Sequence, residues 1–145
     1  MTKKDAWLIA GVLVLAGIYV CFFTNWFRPH TIRIYYTTSK MRDFRTRADM
    51  PHIMFGLQGG RYRLTELKVV PTATFQKNPD TPALWHLVSD SNSVPVERFV
   101  YGQRIPGMHP PVKGEQPQEL ETNVTYRLLI VAGNAKGWED FSITD

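Results

Sequence analysis

Soft metal ligands recur twice in the chain, as Met50-Pro51-His52 and as Met108-His109-Pro110. A thioether beside an imidazole suits Cu(I), so the two tripeptides together outline a candidate copper-carrier site. His30 stands by Pro29, and His86 alternates with Trp85 in a strand-like run that points it to solvent or to a satisfied edge. The only cysteine is Cys21, inside an apolar stretch, which leaves the rest of the chain without a disulfide or a thiolate metal site. A blue-copper centre would need that thiolate, and covalent haem would need a C-x-x-C-H that does not occur. Nor does the chain contain G-x-S-x-G, a glycine-rich phosphate loop or H-E-x-x-H, and its carboxylates are scattered through turn-rich segments. No catalytic residue, resident metal or cofactor is assigned, and the chain reads as a non-enzyme.

The apolar stretch that holds Cys21 runs WLIAGVLVLAGIYVCFF from Trp7 to Phe23, and the uncharged run continues through Thr24, Asn25, Trp26 and Phe27. At about 1.5 Å per residue, the distance from Trp7 to Trp26 matches the ~30 Å hydrocarbon core, with an indole at each interface. Trp7, Leu8, Val12, Leu15, Tyr19, Phe22, Phe23 and Trp26 are the expected anchor residues. Bulky Tyr19, Val20, Phe22 and Phe23 stand where a signal peptidase needs small residues, so the segment reads as an uncleaved signal anchor. Ala6, Ala10 and Gly17 recur at spacings of four and seven and offer one smooth face on which another helix can pack. The short head Lys3-Lys4 leaves the N-terminus in the cytoplasm and exports the rest, the reading adopted here for a bacterial inner membrane. Basic residues counted on both flanks, two before against Arg28, Arg33, Lys40 and Arg42 after, point the other way.

Charge is unevenly divided. Residues 24–50 carry six basic side chains against two acidic ones, whereas residues 51–145 carry nine against ten. The basic belt follows the anchor in sequence, so Phe27, Arg28, Lys40, Arg42, Arg45 and Arg47 are expected at lipid headgroups or an acidic subunit surface. Nucleic acid is a poor partner, because its binding face should lie on the folded body. Three segments result: an N-terminal tail and anchor over 1–27, a basic segment holding the first strand over 28–50, and the body over 51–145.

Alternating apolar and polar residues predict strands over 31–38, 52–58, 61–70, 83–90, 96–103, 124–133 and 138–144, with a proline-rich connection RIPGMHPPVKGEQPQ before the last two. Six or seven strands with no amphipathic helix give an all-β sandwich. In LETNVTY, Leu120 precedes Tyr126 by six residues, and YRLLIVAGNAKGW follows with turn residues at Gly133-Asn134 and Lys136-Gly137. This stretch resembles the tyrosine corner and final hairpin of fibronectin type III domains, and Trp85 falls where a central-strand core aromatic would sit. The resemblance implies a fibronectin type III-like sandwich behind one N-terminal transmembrane α-helix, with Trp85, Leu120 and Tyr126 as structural core. Phrases such as YRLTELKVVP and SDSNSVPVERFVYG are also similar to small bacterial membrane-anchored proteins, a likeness that implies no activity.

One anchor, one interaction-type module and no catalytic set point to an accessory subunit of a hetero-oligomeric membrane complex, its partners being other membrane subunits and lipids. An energy-transducing host is expected, either a photosynthetic reaction centre with its antenna or a respiratory enzyme. The anchor contains no histidine to ligate a pigment, which suits a scaffold and not an antenna polypeptide. The alternatives are a tethered module that binds a peptide, glycan or envelope component through the proline-rich loop, and the Cu(I) carrier.

Overall fold

The computed structural model describes residues 2–23, 30–42, 49–91 and 93–144. Helix α1 (Lys3–Phe23) opens on a capping arrangement in which both the hydroxyl and the backbone N–H of Thr2 donate to Asp5 Oδ2, at 2.6 and 3.0 Å. Its 21 residues extend about 31 Å, and every one of them is exposed. One apolar N-terminal helix of membrane-spanning length is therefore present. Tyr19 stacks on Phe23 one turn away, with ring centroids 5.3 Å apart.

The body is mostly β. Among the described residues are strands β1 (Arg33–Arg42), β2 (Asp49–Gln58), β3 (Glu66–Pro71), β4 (Trp85–Ser89), β5 (Arg98–Val100), β6 (Met108–His109), β7 (Thr125–Ala132) and β8 (Ala135–Ser142), with a short helix α2 (Thr72–Lys77) between β3 and β4. They form two antiparallel sheets, ordered β1-β2-β5 and β6-β4-β3-β7-β8. The sheets pack face to face through alternate inward residues. Ile53, Phe55, Leu57 and Phe99 from one sheet meet Leu67, Val69, Trp85, Leu128, Ile130 and Phe141 from the other. Phe55 sits at the centre, 4.9 Å edge-on from Phe141 and 5.5 Å from Phe99.

Several elements differ from the sequence expectation. Strand β1 extends to Arg42 and β2 begins at Asp49, with pairing unbroken from Arg33–Gln58 to Arg42–Asp49, so both strands are longer than their alternation implies. Residues 61–65 are a crossover and not the start of a strand; Tyr62 forms an isolated bridge with Val96, and Thr65 is hydrogen-bonded to Val131, Ser89 and Gly133. Helix α2 is six residues long, too short to leave a helical apolar period; it begins where Pro71, at φ −65°, serves as its N-cap. The proline-rich connection contributes β6, which adds an edge to β4. Trp85 is buried as expected, yet its strand lies next to that edge, and β3 is the centre of the sheet.

The final hairpin turns on Gly133-Asn134 alone, since Ala132 and Ala135 are already paired. Gly133 has φ +63°, the positive angle that the first central position of a type II′ turn demands. Lys136 and Gly137 are thereby moved from the expected loop into β8. There they meet the chain arriving from α1: Lys136 N–H donates to the His30 carbonyl and Ile32 N–H donates to the Lys136 carbonyl, both at 2.9 Å. The segment 30–32 is thus tied to one sheet before β1 joins the other. A Cβ on Gly137 would strike the Ile32 carbonyl oxygen and lie 3.0 Å from its Cβ.

The corner at the start of β7 is formed. Tyr126 is 3% exposed, its hydroxyl accepts the Glu121 N–H at 2.9 Å, and Leu120 packs half-buried on the core.

Two substitutions in the full chain test these ties by denaturation. Tyr126→Phe is expected to cost about 1 to 3 kcal/mol, because the Glu121 N–H loses its acceptor. Gly137→Ala is expected to cost a similar 1 to 3 kcal/mol or about that, through displacement of segment 30–32. Unchanged stability in either variant would contradict the corresponding contact.

Candidate interaction surface

Alternation along β3, β7 and β8 turns one set of side chains out from the five-stranded sheet. Cross-strand register lines them up as Val70–Arg127–Asp140, Lys68–Leu129–Trp138 and Glu66–Val131–Lys136. Val70 is buried, as is Thr72, the first residue of α2. Arg127 makes a forked ion pair with Asp140, Nε to Oδ1 at 2.7 Å and one terminal nitrogen to Oδ2 at 3.0 Å. Its guanidinium lies 4.3 Å from the Trp138 ring centroid and 5.8 Å from that of Phe75 on α2. The Asp140 hydrogen bond holds the Arg127 pKa above even its ordinary high value, so the fork is permanently charged.

This arrangement fixes Trp138, which is nonetheless 58% exposed. Beside it runs a cleft of about 520 Å³ with Phe75, Leu129, Val131 and Trp138 as its apolar lining and Glu66, Lys68 and Lys136 as charged members. Glu66 Oε1 is 2.8 Å from His86 Nε2 and 3.8 Å from the Lys68 amine. His30 and Thr31 line the same cleft, so it adjoins the segment that connects the body to α1. An exposed indole thus stands over an apolar floor with both signs of charge around it.

A second surface is made by the proline-rich loop. Ile105 and Met108 anchor it in the core, and Gln118 returns to the body through its N–H to the Leu84 carbonyl at 3.0 Å. The Tyr101 hydroxyl donates to the Gln118 carbonyl at 2.8 Å, and burial, with the nearby Tyr126, pushes its pKa far above the ordinary phenol value. Between this loop and β4 lies a cleft of about 420 Å³. On its rim His109 Nε2 is 2.8 Å from Asp90 Oδ2, and His109 Nδ1 is 2.9 Å from the Pro110 carbonyl.

The structure places the remaining sequence candidates as follows. The soft-ligand tripeptides lie on β2 of one sheet and at β6 of the other. Met108 and His109 alternate, so the thioether enters the core while the imidazole faces Asp90. Among the described residues, no group of three or more His, Cys, Asp or Glu side chains is disposed to hold a metal ion. The helix residues Trp7, Leu8, Val12, Leu15, Tyr19, Phe22 and Phe23 are all exposed, as are Ala6, Ala10 and Gly17. Trp26, Phe27, Arg28, Arg45 and Arg47 lie outside the described residues. Lys40 and Arg42 are at the end of β1 remote from the tether, roughly 20 to 30 Å from Arg33 at about 3.3 Å per residue.

Arg127, Phe75 and Trp138 were not legible as a group. A loop drawn through Lys136-Gly137 shortens β8 and offers no register for Arg127 against Asp140. The two-residue turn creates it. Comparison with known protein families, curated proteins and solved structures finds no match.

His109 offers a local check. The Asp90 hydrogen bond, then that of the Pro110 carbonyl, raises its pKa above the ordinary 6.5. The pair therefore contributes fully below about pH 6.5 and is lost as pH rises through the raised value. An NMR titration should place His109 above 6.5, with Asp90→Asn lowering it; equal midpoints in both proteins would refute the pair.

Proposed function

We propose that this chain is a non-catalytic accessory subunit of a multi-subunit membrane complex, with α1 packing among other helices and the β-body clamping neighbouring subunits. The observation that carries the reading is the cleft beside Trp138, a rigid aromatic patch that adjoins the segment leading to the anchor. Its nearness to the membrane follows from chain length. Six residues separate Phe23 from His30, and seven steps of extended chain reach at most about 25 Å. Partners that meet α1 in the bilayer are therefore within reach of the patch outside it. The small-residue face of Ala6, Ala10 and Gly17 supports close helix packing in the same assembly.

A fibronectin type III-like identity for the body belongs to this reading. It is supported by the three-stranded β1-β2-β5 sheet facing β4-β3-β7-β8 and by the Tyr126 corner. In this proposal β6 is an addition to that pattern. The protein sits in a bacterial inner membrane, with the body extracytoplasmic. The host is an energy-transducing complex, a photosynthetic reaction centre with its antenna or a respiratory enzyme; the helix lacks a histidine, which suits a scaffold beside pigments rather than a pigment ligand. A second reading, a tethered module for an envelope peptide or glycan, is favoured by the ordered cleft under the proline-rich loop.

Extraction from the native membrane in mild detergent separates the two. A large particle with fixed stoichiometric partners is expected, reduced to a small one by Trp138→Ala if the patch is the clamp. A wild-type particle little larger than 16.7 kDa plus detergent would refute the subunit and leave the tethered module.

A further inference from the structure

The end of the sandwich nearest the tether carries a third cleft, of about 410 Å³, that neither surface above includes. It lies where the crossovers 61–65 and 89–93 pass the β7–β8 turn, and Arg61, Arg63, Ser89, Ser91, Ser93 and Gly133 line it. We propose that this cleft receives the phosphate of an anionic phospholipid, docking the body on the bilayer that holds α1.

Three observations converge on it. Arg61 and Arg63 are exposed and alternate about Tyr62, whose backbone is fixed by paired hydrogen bonds of 2.9 Å to and from Val96. Neither guanidinium has a carboxylate partner among the described residues, whereas two acidic groups at the same end are engaged, Glu66 by His86 and Lys68 and Asp90 by His109; exposed Glu97 follows Val96 there. Two uncompensated guanidiniums beside hydroxyls are a donor set for phosphate oxygens.

The second observation is the hydroxyl lining: exposed Ser91 stands with Ser89 and Ser93 along the cleft, and a serine hydroxyl can donate to an anionic oxygen.

The third is topology. The start of β1, the end of β2, the start of β3 and the β7–β8 turn all occupy one end, because Arg33 pairs with Gln58, Glu66 with Val131, and Lys136 with the segment 30–32. The connector to α1 reaches at most about 25 Å, so this end stays within a headgroup layer's distance of the helix terminus. Lys40 and Arg42, the basic residues that follow the anchor in sequence, are carried to the opposite end by the β1–β2 hairpin. The lipid contact expected of the belt is thus better met by residues that lie farther along the chain.

The test uses the full chain in mild detergent, titrated with phosphatidylglycerol or phosphatidylcholine, with bound lipid counted by native mass spectrometry. Phosphatidylglycerol should bind the wild type more tightly than phosphatidylcholine. At about fivefold per basic residue, R61Q/R63Q should weaken it roughly 25-fold. R61K/R63K, which keeps the charge, should retain most of the binding and exclude a folding defect as the cause. K40Q/R42Q should leave binding unchanged. Undiminished binding in R61Q/R63Q, or a comparable loss in K40Q/R42Q, would overturn the assignment. Full displacement of phosphatidylglycerol by millimolar inorganic phosphate would overturn its lipid part and mark the cleft as a site for free phosphate.

Discussion

The β-body is organised by the tie between segment 30–32 and β8. The chain arrives from α1, exchanges two hydrogen bonds with Lys136, and only then enters the opposite sheet as β1. Gly137 makes the crossing possible, because the backbone of Ile32 occupies the space where any side chain would project. One short contact therefore links the segment that follows α1 to the closure of the two sheets over Phe55 and Phe141.

The same tie decides which surfaces lie at the end that the chain enters from α1. His30 and Thr31 border the cleft beside Trp138, and the β7–β8 turn that follows borders the basic cleft of Arg61 and Arg63. A cleft with an exposed indole and a cleft lined by Arg61 and Arg63 thus share the end that the chain enters from α1. In the proposed assembly their chemistries would divide the work, the indole over Leu129 burying against protein and the exposed guanidiniums meeting the phosphate layer. Lys40 and Arg42, at the far end, would meet whatever lies beyond the sandwich.

Ordering of the proline-rich loop follows a different logic. Ile105 and Met108 enter the core, and Gln118 is held at both its N–H and its carbonyl, so the connection behaves as part of the sheet edge. Burial of Met108 also separates the two soft-ligand types of its tripeptide, the thioether entering the core while the neighbouring imidazole faces Asp90.

The sequence by itself determined what depends on neighbours along the chain. The anchor is a matter of uninterrupted apolar length, most strands of their own alternation, and the Tyr126 corner of a hydroxyl reaching five residues back. Tertiary structure decided what depends on register and on which ends coincide. A two-residue turn at Gly133-Asn134 placed Arg127 against Asp140 and between Trp138 and Phe75; one more pair of loop residues would have separated them. Likewise β6 exists only because Ser89 and Val88 offer it an edge, and Arg61, Arg63 and Ser89 share a cleft only because two crossovers, far apart in sequence, pass at the same end. Periodicity reports which face of a strand is buried, but pairing between distant strands is fixed by the packing of the whole core, and no local pattern encodes it.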